Sequence, residues 1–131
     1  MRSKPKGFTL IELMVVILIV GVLAAAAVPL MRGKIDRSKW TEANAAAGSI
    51  RSAVKVYFME TGDIVTGSLS DASVQQATSM QSGDLAGSYF TASDYQIDSV
   101  STDGVAVITV TGSQTNAPSG SKTLTLNGTF E

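Results

Sequence analysis

The sequence has 131 residues, 44% hydrophobic and only 16% charged, with a net charge of −1 and neither cysteine nor histidine. That length holds one ordinary domain. The composition excludes disulfides, thiol nucleophiles, Cys or His metal sites and every His-based catalytic triad. With no overall basic bias, no nucleic-acid partner is expected.

Residues 1–7 carry three cations, Arg2, Lys4 and Lys6, and no anion. From Phe8 to Met31 the only charge is Glu12, and Leu13 to Val28 is an unbroken apolar run. As a helix at about 1.5 Å per residue, residues 8–31 are long enough to cross a hydrocarbon core of about 30 Å. A collar of Arg32, Lys34, Asp36, Arg37 and Lys39 follows, then Trp40, a pairing that fits a membrane interface. Cations on the two sides nearly balance, so orientation is not legible from charge.

Ala43, Ala46, Ala47, Ile50, Ala53, Val54, Tyr57 and Phe58 recur at helical spacing, which predicts an amphipathic helix ending near Thr61-Gly62-Asp63. Only Pro29 interrupts the helical pattern, so one helix of roughly fifty residues is expected, kinked at that proline. Residues 61–93 read as a long surface connection, with a short helix near Ser70 to Met80. Strand signal follows: Tyr95, Ile97 and Ser99 alternate, Val105 to Thr111 is rich in β-branched residues, and Thr123 to Leu126 alternates again. Asp103-Gly104 and Asn127-Gly128 are the expected turns. A three-stranded antiparallel meander is marginal alone, so the Ile50, Val54 and Phe58 face of the helix is its expected second layer.

Gly7-Phe8-Thr9-Leu10-Ile11-Glu12, after a basic leader and before an apolar run, resembles the class III signal of type IV pilins and pseudopilins. The resemblance implies an α+β fold of type IV pilin kind, with a long N-terminal helix, its first half transmembrane, packed on a small C-terminal antiparallel sheet. It implies a leader over 1–7, a transmembrane and filament-core half over 8–30, an amphipathic half over 31–60 and a globular head over 61–131. A prepilin peptidase would cut between Gly7 and Phe8 and methylate the new amine of Phe8. The subunit would sit in the bacterial inner membrane, then join a homopolymeric surface filament serving adhesion, motility or DNA uptake. An inner-membrane platform and an assembly ATPase are the other implied partners, with no enzyme activity, cofactor or metal.

Glu12 is the most informative residue. The apolar run outweighs one carboxylate for membrane insertion, but a dry filament core demands a partner for it. The resemblance supplies one, the Phe8 amine of a neighbouring subunit. Ala24 to Ala27 permit close helix packing, and Gly21 and Pro29 bracket a stretch where helical bonding is weak and extension in a filament is expected. Two alternatives stand beside this reading: a pseudopilin of a type II secretion system, and a soluble exported domain released by ordinary signal cleavage near Ala27.

Charge is divided along the chain. Residues 32–55 carry six cations and two anions, whereas residues 56–131 carry eight anions and one cation, Lys122. The two regions suit contact between stacked subunits, although solvated faces give the same pattern. Asp94, Asp98 and Asp103 match no EF-hand spacing and read as solvated turn residues. The lack of acidic residues between Asp103 and Glu131 departs from the calcium-binding loop of major pseudopilins. The aromatic residues read as packing.

Overall fold

From Leu10 to Thr61 the chain forms a single helix of 52 residues, α1. The computed structural model describes residues 3–102 and 105–126, so the expected turns at Asp103-Gly104 and Asn127-Gly128 lie outside the described residues. Residues 1–35 and 36–131 form two compact units.

In the first unit, every described side chain is exposed, including Phe8, Leu10, Ile11, Leu18 and Leu23. The helical assignment runs unbroken through Gly21 and Pro29, where the sequence predicts a kink. Pro29 has no N–H to donate to the carbonyl of Ala25, so the helix lacks one rung there. The helix is long and apolar enough to span a membrane, and none of its apolar window is buried against protein.

The second unit is built on the continuation of α1. Trp40, Ala43, Ala47, Ile50 and Val54 are its buried residues. Their alternating spacing of three and four keeps one stripe facing inward. The stripe begins at Trp40, which the sequence reading placed at a membrane interface. Its indole is instead packed on the head, 5.3 Å from the Phe90 ring centroid. Ile50 and Val54 are fully buried, while Phe58 is half-buried. Gly62 ends α1: its φ of +77° is open to glycine at little strain, and its N–H bonds the Phe58 carbonyl at 2.8 Å.

The sheet has four strands, not three, in the order β1 (Gly67–Ser68), β2 (Tyr95–Val100), β3 (Ala106–Thr111) and β4 (Ser121–Leu126). All neighbours are antiparallel. The two-residue β1 is too short to leave a periodic signal in sequence. Ile97, Ile108 and Leu124 form one cross-strand row, and Val100, Ala106 and Leu126 another. A register shift between Ile97 and Ser99 inserts Asp98 as an extra residue. The bulge reverses the alternation, so Val100 faces the core and Ser99 does not, against the simple period-2 reading.

Residues 61–93 are not a mere surface connection. They hold α2 (Ala72–Thr78) and short 3₁₀ turns at Ser82–Leu85 and Ala92–Asp94. Leu69, Val74, Leu85, Phe90 and Ala92 from this stretch join the core between α1 and the sheet. Isolated apolar residues at irregular spacing carry no helix or strand period, which is why the sequence does not reveal their burial.

In urea unfolding of the detergent-solubilised chain, Ile50→Ala is expected to cost about 2–5 kcal/mol. Val56→Ala, on the exposed side of α1, should stay within about 0.5 kcal/mol. Equal losses would place the core on the wrong face of the helix.

Candidate functional site

The residues singled out at the N-terminus fall where irregular backbone becomes helix. Gly7 and Phe8 precede α1 without regular structure, Phe8 is 81% exposed, and a Cβ at Gly7 would meet nothing within 4 Å. The next residue, Thr9, caps the helix. The backbone N–H of Thr9 donates to Glu12 Oε2 at 3.0 Å, and the N–H of Glu12 donates to Thr9 Oγ1 at 3.3 Å. This is a capping box, Thr-x-x-Glu, in which each side chain satisfies an N–H that the helix leaves orphaned. A carboxylate in the first turn also complements the positive end of the helix dipole. Thr9 is the residue that sequence reasoning missed, although the four-residue pattern was there to be read. Oε1 of Glu12 accepts no hydrogen bond among the described residues.

Gly7, Phe8 and Glu12 are thus gathered within one turn of the helix start. Gly21 and Pro29 lie inside α1, and a Cβ at Gly21 would meet open space. Ile50, Val54 and Phe58 belong to the second unit, where the first two are core.

A second polar centre, invisible in sequence, fastens the head to its helix. Glu42 projects from α1 to the turn before β2. Its Oε2 accepts the N–H of Ser88 at 3.0 Å, and its Oε1 accepts those of Tyr89 at 3.0 Å and Phe90 at 3.1 Å. Gly87 makes room: a Cβ there would stand 2.1 Å from Oε1. One turn earlier on α1, the Lys39 ammonium donates to the Asn116 carbonyl at 2.7 Å and lies 5.2 Å from the Tyr89 ring centroid. Asn116 in turn donates from Nδ2 to the Ser88 carbonyl at 2.9 Å. Lys122 of β4 stands over the Trp40 ring, 5.2 Å from its centroid. The helix, the turn at 86–90 and the loop before β4 are thereby tied together.

Asp94 is buried rather than solvated. It accepts the N–H and hydroxyl of Thr91 and the hydroxyl of Ser113, so it organises a turn. Tyr95 is buried beside it, and its hydroxyl is held well above the ordinary value of 10.0, first by burial and then by the charges of Glu42 and Asp94. Among the described residues no group of three or more acidic, Cys or His side chains is placed to hold a metal ion.

Residues 2–28 match a family model described as the prokaryotic N-terminal methylation motif. Fimbrial protein EcpC of Eikenella corrodens is 45% identical over 62 residues, which cover 47% of this chain and 40% of that protein. Type IV major fimbrial protein FimA of Dichelobacter nodosus is 42% identical over 60 residues, 46% of this chain and 38% of its own. Type IV major pilin protein PilE1 of Neisseria gonorrhoeae is 47% identical over 62 residues, 47% and 38% of the two chains. The matched region thus spans about two fifths of the length of these curated relatives. No solved structure matches significantly. The resemblance to type IV pilins read from Gly7 to Glu12 agrees with these relatives.

Gly87→Ala should push the Glu42 carboxylate off its three N–H donors and lower stability by about 2–3 kcal/mol. Gly48→Ala, at an exposed helical position with open space, should raise it by about 0.5–1 kcal/mol. Tyr95 sets an alkaline limit. An unfolded tyrosine ionises from about pH 10 while the folded one stays neutral, so its contribution is complete below that pH and declines above it. Denaturant midpoints between pH 9 and 11 should fall less steeply for Tyr95→Phe than for the unaltered chain.

Proposed function

We propose that this chain, with its N-terminal methylation motif and its likeness to type IV pilins, is the structural subunit of a type IV pilus-like surface filament. The observation that carries the reading is the junction at residues 7–12. An accessible Gly7–Phe8 bond lies in irregular chain, a capping box starts the helix directly after it, and an apolar helix with no covering protein follows.

In this reading residues 1–7 are a leader that a prepilin peptidase removes on the cytoplasmic side. Proteolysis needs extended, accessible backbone, and the helix begins only at Leu10. The new α-amine of Phe8 is methylated by the same enzyme. Residues 8–30 hold the subunit in the inner membrane until an assembly platform and its ATPase transfer it to the growing polymer. There the exposed apolar faces bury one another, which supplies the drive for polymerisation. Residues 31–60 join the membrane segment to the head, residues 61–131, through the face that holds Ile50, Val54 and Phe58.

Glu12 then has two partners in succession. In the single subunit its Oε2 caps the helix through the Thr9 N–H. On assembly its Oε1 receives the Phe8 amine of a neighbouring copy, so the pairing does not require the cap to break. A carboxylate entering a dry core is thereby neutralised, and the pairing fixes the axial step between copies. Extension of the Gly21–Pro29 stretch accommodates packing, helped by the rung missing at Pro29. The curated relatives named above are fimbrial proteins and pilins rather than components of a secretion system, which favours the pilus reading over both alternatives.

Mass spectrometry of the sheared cell-surface fraction should find a peptide beginning with N-methylated Phe8; a start near Ala27 would overturn the reading. Gly7→Arg should abolish processing. Glu12→Ala should be cleaved normally yet lower the filament yield by at least about tenfold, because the incoming amine has no counter-charge.

A further inference from the structure

A cleft of about 260 Å³ opens in the second unit where α1 faces the turn at residues 84–87. Ala45, Ala46, Leu85 and Ala86 give it an apolar wall, and Glu42, Asp84 and Tyr95 also line it. Tyr95 is 1% exposed. Every fully covered side-chain nitrogen or oxygen among the described residues has a hydrogen-bond partner. The Tyr95 hydroxyl has no partner among them, so it keeps contact with solvent, and the cleft is where it opens. A buried ring thus delivers one unused polar atom to a confined space. Glu42 brings a negative charge to the same space. A carboxylate offers about four acceptor sites. On Glu42 the N–H groups of Tyr89 and Phe90 fill Oε1, and that of Ser88 takes one site on Oε2, so one site remains there. Asp84 brings a second charge. Its Oδ2 accepts the Gln81 N–H at 2.8 Å, and its Oδ1 accepts no hydrogen bond among the described residues. Ser49, the other hydroxyl of the wall, donates to the Ala45 carbonyl at 3.3 Å. No Lys or Arg is bonded to either carboxylate among the described residues; Lys39, one turn before Glu42, is turned to Asn116 and Tyr89.

We propose that this cleft binds a primary ammonium group carried on an aliphatic stem. Two carboxylates attract any cation, and the acceptors they have left discriminate among cations. A guanidinium is a planar fork that a carboxylate receives best with both oxygens. Neither Glu42 nor Asp84 has two unbonded oxygens to offer. Calcium takes roughly six to eight oxygens, more than the unspent side-chain acceptors of this wall supply. A primary ammonium has three N–H donors and no acceptor. Glu42 Oε2, Asp84 Oδ1 and the Tyr95 hydroxyl oxygen match those donors one for one. The alanines and Leu85 of the wall then cover the methylenes of the stem, which gain by leaving water. A free alkylamine and the lysine side chain of another protein share this chemistry. All the residues involved lie in the second unit, so the site stands independently of the filament reading.

Titration of the isotopically labelled full chain in a non-ionic detergent, followed by the backbone amide NMR signals of residues 85–90, tests the site. n-Butylammonium chloride should shift these signals saturably, with half-saturation at about 1–10 mM, the range open to so small a ligand. Tetramethylammonium chloride carries the same charge without an N–H donor and should leave them unmoved at equal ionic strength, where screening is the same. Tyr95→Phe keeps the ring and removes the hydroxyl, and should weaken butylammonium binding at least about fivefold. Asp84→Asn keeps an acceptor for the Gln81 N–H and removes the charge, and should weaken binding by roughly tenfold. Retained amide signals from β3 and β4 establish that each variant is folded; if Tyr95→Phe is not, Asp84→Asn decides. Equal shifts with tetramethylammonium, no saturable shift with butylammonium, or unchanged binding in a folded variant overturn the inference. N-acetyl-lysine methylamide distinguishes the two sources. Binding as tight as that of butylammonium assigns the site to a protein lysine, and weaker binding assigns it to a free alkylamine.

Discussion

The head depends on one constraint: its sheet has a single apolar face, and α1 is what covers it. Tyr95, Ile97, Ile108 and Val110 present that face, all at 1% exposure or less. Four strands, one of them two residues long, do not exclude water on their own. Trp40, Ala43, Ala47, Ile50 and Val54 close the gap from the helix side. The two alanines let the helix backbone approach, and the larger residues fill the space to either side. Burial of this stripe is why α1 and the sheet belong to one compact unit from residue 36 onward.

Polar contacts then decide how the irregular segments lie on this core. The turn at 86–90 has three backbone N–H groups converging on one point, and only an acceptor with several lone pairs satisfies them together. Glu42 is that acceptor, and Gly87 leaves it the space. Lys39 and Asn116 link the same turn to the loop before β4. Asp94 does for the start of β2 what Glu42 does for the turn, by collecting donors from Thr91 and Ser113. In a chain without disulfides these carboxylates are the fasteners of the loops, and a carboxylate bonded to N–H groups is held more strongly than a neutral acceptor.

The same helix carries a different economy nearer its start. There no side chain from Leu10 to Met31 is covered, and the polar work is confined to Thr9 and Glu12 at the first turn. A segment that buries nothing internally keeps all its apolar surface exposed, and in the proposed filament reading lipid and then other copies cover it. In the filament reading proposed above, a carboxylate at its head is tolerable because Oε2 caps the helix and Oε1 is left for a cationic partner. Capping and the proposed assembly role would then share one residue without conflict.

Local pattern alone determined the long helix, its end at Gly62, the three longer strands and the junction from Gly7 to Glu12. Each rests on periodicity or on a motif within a few residues, where the physics is that of neighbours in the chain. Ile50 and Val54 as core followed from the same period. Thr9 was equally local and was legible as Thr-x-x-Glu. Tertiary structure decided the rest. Trp40 beside a basic collar suits a membrane interface as well as a head, and only the position of Phe90 chooses between them. Asp98 as a bulge, Val100 turned inward, and Leu69, Leu85 and Phe90 as core residues depend on which strand pairs with which. Glu42 meets N–H groups 46 to 48 residues away. No pattern along the chain encodes such a meeting, because it exists only once the helix and sheet have brought the two segments together.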